Sequence, residues 1–262
     1  MALALRTVTA TRYVTPLREG GSLPAIVEAD DDGLYVLKFR GAGQGTKALI
    51  AELVGGEFAR AAGLAVPEIV LVQLDGDLAR TEPDAEIQDL IRASAGLNLA
   101  LDFLPGSVAF DPLAGAPAAE LASAVVWHDA FISNVDRTPR NSNLLTWHRR
   151  LWLIDHGAAL VFHHYWSDPV EQARNRFTHI KDHVLLPWAS RIEEADEQLS
   201  ARLTPALVSD IVGAIPDDWL AGDPAFDNVA AHRAAYERYF LARLAAPRAF
   251  AEEAVRAAAA PV

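Results

Sequence analysis

Cysteine is absent from this sequence, and lysine occurs only three times, at Lys38, Lys47 and Lys181. Without cysteine the chain cannot form disulfides, use a thiolate nucleophile or bind zinc through sulfur. The absence also fits a reducing compartment. Only Met1 to Leu5 precede Arg6, which is too short for the apolar region of a signal peptide. We therefore expect a cytoplasmic protein.

Positive charge and long apolar runs are scarce as well. The 23 Lys and Arg residues stand against 35 Asp and Glu residues, which gives a net charge of −12. This excess argues against nucleic acid or an anionic membrane as the main partner. No uncharged run approaches the roughly 18 apolar residues that a membrane-spanning helix needs. A local basic patch stays open at Arg137, Arg140, Arg149 and Arg150.

The residue pattern changes from strand-like to helix-like along the chain. Short strands are predicted at Tyr13–Thr15, Ala25–Glu28, Leu34–Phe39, Glu68–Leu74 and Leu97–Leu104. Helical spacing predicts helices over Lys47–Ala62 and near Ile87–Ala93. After Pro105 the pattern predicts mainly helices, interrupted by a hairpin at residues 144–154. We expect an α+β fold with a β-rich lobe over residues 1–104 and a helical lobe over residues 105–262.

Three polar residues in the second part have the spacing of a phosphoryl-transfer site. Asp136 lies five residues before Asn141 and nineteen before Asp155, with apolar segments between them. In such sites one Asp orients the attacking group, while the Asn and the second Asp hold magnesium on nucleotide phosphates. Each residue alone could belong to an ordinary turn, but their joint occurrence favours a site. Asn143 competes with Asn141 for the metal role, and the five-residue offset favours Asn141.

Lys38 lies in an otherwise apolar strand. It is either a solvated residue at a sheet edge or a lysine that holds phosphates and is positioned by a helix carboxylate. The next helix offers Glu52 and Glu57, and their spacing does not choose between them.

Two glycine-rich turns could approach phosphates. Gly20, Gly21 and Ser22 lie between two predicted strands, where backbone N–H groups and the serine hydroxyl could bind phosphate oxygens, although glycine pairs are also common in ordinary hairpins. The turn at residues 41–47, G-A-G-Q-G-T-K, lacks the spacing of a P-loop, so we reject a Walker-type site.

Taken together, these motifs resemble the HipA-like kinases, bacterial proteins with a protein-kinase-like fold that is related to the phosphatidylinositol kinases. The matching stretches are Ser22 in the glycine turn, Lys38, E-L-V-G-G-E-F-A-R-A-A-G-L-A-V-P-E at residues 52–68, N-V-D-R-T-P-R-N-S-N at 134–143 and I-D-H-G at 154–157. The resemblance covers roughly residues 12 to 160, and the rest matches only as helical. Thr138 stands where many relatives carry a histidine.

The resemblance implies a two-lobed kinase that binds ATP and Mg²⁺ in its cleft and transfers the γ-phosphoryl group to a hydroxyl, most simply of a protein serine or threonine. It implies that Lys38 binds ATP phosphates and pairs with Glu52. It further implies that Asp136 is the catalytic base. The remaining implied roles are metal binding by Asn141 and Asp155, adenine contact by Asp102, Phe103 and Leu104, and phosphate contact by Gly20, Gly21 and Ser22.

Other functions stay open at this point. The same residues could serve a nucleotide-binding pseudokinase or regulatory module, or transfer AMP instead of phosphate. A metal-dependent hydrolase could use Asp155, His156 and the pair His163 and His164. His179 and His183 have the i, i+4 spacing of metal ligands on a helix, but the Glu of the H-E-x-x-H motif is missing. The acceptor is also open among a protein serine, a small molecule and the enzyme itself, because its contacts would lie in the helical part, where the resemblance fades.

Overall fold

The computed structural model of this chain describes residues 3–17 and 23–260. Gly20, Gly21 and Ser22 lie outside these residues, so the phosphate-binding turn stays a prediction. Within the described ranges, no helix has the length and apolar character needed to cross a membrane.

Five strands near the start of the chain close into a small barrel. They are β1 (Thr7–Pro16), β2 (Ala25–Ala29), β3 (Leu34–Lys38), β4 (Ile69–Leu74) and β5 (Gly96–Asp102). The order around the barrel is β1-β2-β3-β5-β4, and only the β1–β4 pair is parallel. All five predicted strands are present, although β1 is much longer than expected and β5 ends before Leu104. The closure of the sheet was not predicted.

The pleat of β3 positions Lys38. Tyr35 and Leu37 are buried inside the barrel, as members of its apolar core. Because successive side chains of a strand point to opposite faces, Lys38 lies on the other face. There it meets helix α1 (Thr46–Ala61), which follows β3 in the chain.

Two adjacent glycines let α1 pack unusually close to its neighbours. A Cβ atom added at Gly55 would lie 2.9 Å from Cβ of His156, and one added at Gly56 would lie 2.5 Å from Cδ1 of Ile69. Both distances are below those that real Cβ contacts show. The glycines therefore allow α1 to lie directly between strand β4 and the segment that follows Asp155, although each lowers intrinsic helix stability.

The second part of the chain is mainly helical and contains a small three-stranded sheet. The remaining elements are α2 (Ala85–Ala93), β6 (Val108–Ala109), α3 (Ala119–Ile132), β7 (Leu144–Trp147), β8 (Arg150–Leu153), α4 (Pro169–Ala173), α5 (Ile192–Arg202), α6 (Pro205–Gly213), α7 (Asp217–Leu220), α8 (Val229–Leu244) and α9 (Ala249–Ala258). The predicted hairpin is confirmed as β7–β8. Aromatic rings join the helices: Phe58 of α1 lies 5.1 Å from Phe131 of α3 and 4.7 Å from Phe240 of α8, measured between ring centroids.

Residues 217–223, which we call the brace, return from the helical part to the start of α1 and to the barrel. Trp219 Nε1 donates to the carbonyl oxygen of Leu97 at 3.1 Å, and its own carbonyl accepts from Thr46 Oγ1 at 3.2 Å. Lys47 Nζ lies 3.1 Å from Asp223 Oδ2. The brace thus holds the first turn of α1 against β5.

Candidate active site

Lys38, Glu52 and Asp155 meet at one point, although Lys38 and Asp155 are 117 positions apart. Lys38 Nζ donates to Asp155 Oδ1 at 2.7 Å and lies 3.6 Å from Glu52 Oε2. The Glu52 side chain is 1% exposed, whereas that of Asp155 is 38% exposed. The arrangement is an ammonium group between one buried and one accessible carboxylate.

Lys38 and Glu52 each stabilise the charged form of the other. Burial alone would lower the pKa of Lys38, but Glu52 and Asp155 outweigh burial and raise it. Burial would likewise raise the pKa of Glu52, yet the charge of Lys38, and then His156, lowers it to about 2. Both side chains are therefore ionised at neutral pH.

The structure chooses between the two candidate carboxylates of α1. Glu57 lies away from Lys38 and pairs with Arg60 at 3.5 Å, and burial raises the pKa of its carboxyl. Glu52 faces Lys38 from one side and His156 from the other. His156 Nδ1 lies 3.7 Å from Glu52 Oε1, which is beyond hydrogen-bond distance. Among residues 3–17 and 23–260, neither oxygen of Glu52 has a hydrogen-bond partner, so the charge of Lys38 is the main interaction that stabilises this carboxylate.

Asp136 lies in a loop after α3 and is contacted by both candidate asparagines. Asn141 Nδ2 donates to Asp136 Oδ2 at 2.7 Å, and Asn143 Nδ2 donates to the same oxygen at 3.0 Å. The backbone N–H of Asp136 donates to Asn134 Oδ1 at 3.1 Å. These bonds fix the carboxylate while Oδ1 takes part in none of them. Asn141 is exposed and Asn143 is 8% exposed, so Asn141 is the more accessible of the two.

A buried ion pair that the sequence did not reveal holds this loop in place. Arg137 Nε donates to Asp129 Oδ2 at 2.5 Å, and both side chains are fully buried. Arg137 Nη1 also donates to the carbonyl oxygens of Asn143 and Ile154. Arg137 therefore connects the loop of Asp136 to the residue before Asp155. Its inclusion in a surface basic patch was wrong, because its side chain compensates a charge in the interior.

His183 completes this centre. Leu185 N–H donates to His183 Nδ1 at 3.0 Å, so Nε2 carries the proton and donates to Asp129 Oδ2 at 2.8 Å. Burial lowers the pKa of His183, which keeps the ring neutral. Burial opposes ionisation of Asp129, but Arg137 and His183 hold the pKa of that carboxyl well below its usual range. The one local signal was an Asp in the apolar run W-H-D-A-F-I of α3, which requires a buried partner.

The histidine arrangements considered as metal sites are not supported by the geometry. His183 follows a 3-10 helix at Thr178–Asp182 and uses both ring nitrogens in protein contacts, so a helical i, i+4 pair with His179 was wrong. His163 contacts the Tyr236 hydroxyl at 2.9 Å and His164 Nε2 at 3.2 Å. Within the described part of the chain, no group of three or more His, Asp and Glu side chains is arranged to hold a metal ion.

The residues with the predicted magnesium role fit a hard cation. Asp155 has an accessible carboxylate, of which only Oδ1 is bound to Lys38. Asn141 uses its amide nitrogen on Asp136, which leaves its amide oxygen for a ligand. Carboxylate and amide oxygens are the protein ligands that Mg²⁺ takes, and substrate phosphates and water complete its shell.

Two of the three backbone N–H groups at residues 102–104 donate hydrogen bonds. Asp102 N–H donates to the carbonyl oxygen of Glu68 at 2.8 Å, and Phe103 N–H donates to that of Leu34 at 2.9 Å. Asp102 is exposed, Phe103 is half-buried and Leu104 is buried. The N–H of Leu104 takes part in neither of these two bonds.

A model of one protein family matches residues 11–251, and its description is HipA-like kinase. This chain belongs to the HipA-like kinase family. The match extends well past residue 160, so the helical C-terminal part also follows the family pattern and the resemblance was drawn too short. Among curated proteins, no sequence matches this HipA-like kinase significantly.

Solved kinase structures share the fold. A Helicobacter pylori proinflammatory kinase, CtkA, is 12% identical with a TM-score of 0.56, over 97% of this chain and 99% of that chain. A Golgi casein kinase is 11% identical with a TM-score of 0.50, over 96% of this chain and 72% of that one. The Golgi casein kinase with Mn/ADP bound is 12% identical with a TM-score of 0.51, over 96% and 74%. The predicted α+β, kinase-like fold is thereby confirmed.

Proposed function

We propose that this HipA-like kinase uses ATP and Mg²⁺ to phosphorylate a hydroxyl of a protein serine or threonine. The observation that carries the proposal is the position of Lys38 between Glu52 and Asp155. A buried cation beside an accessible carboxylate is suited to a triphosphate with a bridging metal. The similar kinase with Mn/ADP bound supports a nucleotide and a divalent metal. In this proposal the nucleotide lies between a lobe of residues 1–104 and one of residues 105–262.

Asp136 is the proposed catalytic base. The acceptor oxygen attacks the γ-phosphorus and gives its proton to the Asp136 carboxylate. The bond from the γ-phosphorus to the bridging oxygen breaks, and ADP leaves with that electron pair. Asn141 and Asn143 hold Asp136 through Oδ2, which leaves Oδ1 to receive the hydroxyl. Such positioning supplies a large share of phosphoryl-transfer catalysis.

Lys38 and the metal ligands have the electrostatic roles. Lys38 donates to phosphate oxygens, and Glu52 keeps it charged and in place. Mg²⁺, when bound by Asn141 and Asp155, neutralises charge on the phosphates. In the structure Lys38 binds Asp155 directly at 2.7 Å, so phosphates would share this lysine with Asp155.

The residues after β5 are the proposed adenine contact. Adenine presents a donor and an acceptor on one edge, which a carbonyl and an N–H group of an extended segment can match. Asp102 and Phe103 already use their N–H groups, so we propose Leu104 N–H as the donor to adenine. Phe103 would border the base, and Gly20, Gly21 and Ser22 would approach the phosphates.

Incubation with γ-labelled ATP and MgCl₂ tests the proposal. Asp136→Ala should lower transfer by about 100-fold or more, since loss of a general base costs this much. It should keep the thermal stabilisation by ATP and Mg²⁺, because a bound ligand stabilises the folded state. Asp89→Ala is the control, since Asp89 is an exposed residue that pairs with Arg92 at 3.1 Å on α2.

Each alternative gives a different result. Equal labelling by wild type and Asp136→Ala would refute the role of Asp136. Label from α-labelled ATP would show AMP transfer. ATP-dependent stabilisation without any transfer would identify a nucleotide-binding module instead of a kinase.

A further inference from the structure

One stretch of this acidic protein contains several unpaired cations. Within residues 3–17 and 23–260, five exposed Lys or Arg side chains make neither an ion pair nor a hydrogen bond, namely Arg140, Arg149, Arg150, Arg176 and Lys181. Residues 136–182 contain seven Lys and Arg against five Asp and Glu, whereas the remainder contains sixteen against thirty. This stretch, which carries Asp136, Asn141 and Asp155, is therefore net positive in a chain of net charge −12, and it stays so when the buried Arg137 is left out.

Arg140 lies in the same loop as the proposed catalytic base, four positions after it. It belongs to a tight turn that Thr138 and Asn141 close through two backbone hydrogen bonds of 3.0 and 3.1 Å. Asn141 at the end of this turn donates to Asp136 Oδ2 at 2.7 Å. The turn thus places Arg140 directly before the residue that contacts Asp136, with its side chain exposed.

Arg176 and Lys181 lie on a segment that is anchored to the same loop. Val184 N–H donates to the carbonyl oxygen of Arg137 at 3.0 Å, and His183 donates to Asp129 at 2.8 Å. Phe177 and Ile180 are buried, while Arg176 and Lys181 are exposed. The segment therefore attaches beside Asp136 and presents its cations to solvent. Asp182 is the exposed acid next to Lys181, and it lies on the same segment.

We propose that the hydroxyl acceptor lies in an acidic peptide segment, whose Asp or Glu side chains contact Arg140, Arg176 and Lys181, which we call the basic rim. This inference rests on the proposed function, because it assigns the substrate class of that site. A short acidic peptide contacts only the rim. A long nucleic acid would also meet the strongly negative remainder of the protein, which disfavours it.

Arg149 provides a matched control within the same stretch. It is exposed and unpaired like the rim residues, but it lies in the β7–β8 turn. Asn143 and Ile154 flank the other end of this hairpin. Four strand residues separate the two ends by about 13 Å, so a contact at Arg149 should not reach the acceptor site.

Fluorescence anisotropy with labelled serine peptides tests the inference without requiring catalysis. The probes are one peptide flanked by Glu and one flanked by Gln, with wild type, Arg140→Glu, the double variant Arg176→Glu/Lys181→Glu, and Arg149→Glu. Exposed ion pairs each change affinity by about two- to fivefold. We expect wild type to prefer the Glu-flanked peptide about tenfold or more, and the rim variants to lose this preference. Arg149→Glu should keep it, and 0.5 M NaCl should reduce it through screening.

The outcomes separate this inference from the kinase function. Equal binding of both peptides, an equal loss in Arg149→Glu, or tighter binding of single-stranded RNA than of the acidic peptide would each overturn the acidic acceptor, whether or not phosphate is transferred. If the peptide preference holds and depends on the rim but no γ-label is transferred, the proposed kinase function fails and the charge recognition stands. If both hold, the KM for the Glu-flanked peptide should rise in the rim variants while the KM for ATP stays constant.

Discussion

Replacing Arg137 by methionine would remove the full positive charge that compensates Asp129 in the interior. Arg137 is 1% exposed, and its Nε lies 2.5 Å from Asp129 Oδ2. The other two side-chain partners of Asp129 are the neutral donors Asn134 and His183. The variant would therefore leave a buried carboxylate without a compensating cation.

The expected loss of folding stability is a large fraction of the total stability of a typical protein. Removal of one partner from a buried ion pair costs about 3–5 kcal/mol, because the remaining charge stays desolvated. The carbonyl group of Ile154 loses its donor as well, and an unsatisfied buried group costs about 1–3 kcal/mol, whereas the carbonyl of Asn143 keeps the N–H of Ile154 as a donor. Since folded proteins are stable by about 5–15 kcal/mol, Arg137→Met should be close to unfolding. The double variant Asp129→Leu/Arg137→Met should recover part of the loss, because no buried charge remains.

Urea unfolding followed by circular dichroism would measure these differences. Arg140→Met, only three residues away but exposed, should change the free energy of unfolding by about 0.5 kcal/mol at most. The pKa of Asp129 is depressed in the wild type, so its contribution is present above its ordinary pKa of 3.8 and is lost as the pH falls further. In Arg137→Met the deficit should shrink toward low pH, because protonation removes the uncompensated charge. A free energy within about 1 kcal/mol of wild type at unchanged m-value would refute this reasoning.

Two further predictions concern α1. Gly55→Ala should destabilise the fold by about 1–3 kcal/mol, because the new methyl group meets His156. Gly213 has open space at the end of α6, so Gly213→Ala should be neutral or stabilising by up to about 1 kcal/mol in the same thermal unfolding series. Equal effects of the two substitutions would contradict the close-packing explanation. The pKa of Glu52 is lowered from 4.5 to about 2, so its contribution to stability is present above pH 4.5 and is lost as the pH falls toward 2. Glu52→Gln should remove this pH dependence in urea midpoints measured from pH 5 to 2, and an unchanged slope would count against the Lys38–Glu52 interaction.

The strands of the barrel and the convergence of Lys38 with a helix carboxylate could be predicted from the sequence. Alternation in β3 places Lys38 opposite Tyr35 and Leu37, and this period is a local property of the chain. The family motifs add the expectation that Asp155 lies near Lys38, and the 2.7 Å distance between Lys38 Nζ and Asp155 Oδ1 agrees with it. The roles of these residues in binding and catalysis stay predictions.

Spacing alone could not choose Glu52 over Glu57, a choice that only the family resemblance supplied, and the burial of Arg137 was not predicted. Glu52 and Glu57 both border the apolar face of α1, and the rotation of the helix is fixed by Gly55 and Gly56, whose neighbours lie far away in sequence. Arg137 has the sequence surroundings of an exposed loop residue. Arg137 is buried because α3 and the segment before Val184 pack around it, and these lie apart from it in sequence. The apolar surroundings of Asp129 indicate that it has a buried partner, but they do not identify that partner as Arg137.

The brace is synthesised after the start of α1 and strand β5, which it holds together. Thr46, Lys47 and Leu97 leave the ribosome long before Trp219 and Asp223 exist, since domains grow from the N-terminus. A nascent chain interrupted before residue 219 would carry every proposed catalytic residue, from Lys38 to Asp155, without the bonds that hold the first turn of the Glu52 helix. The contacts that hold the first turn of this helix against β5 can therefore form only after residues 219–223 have been synthesised.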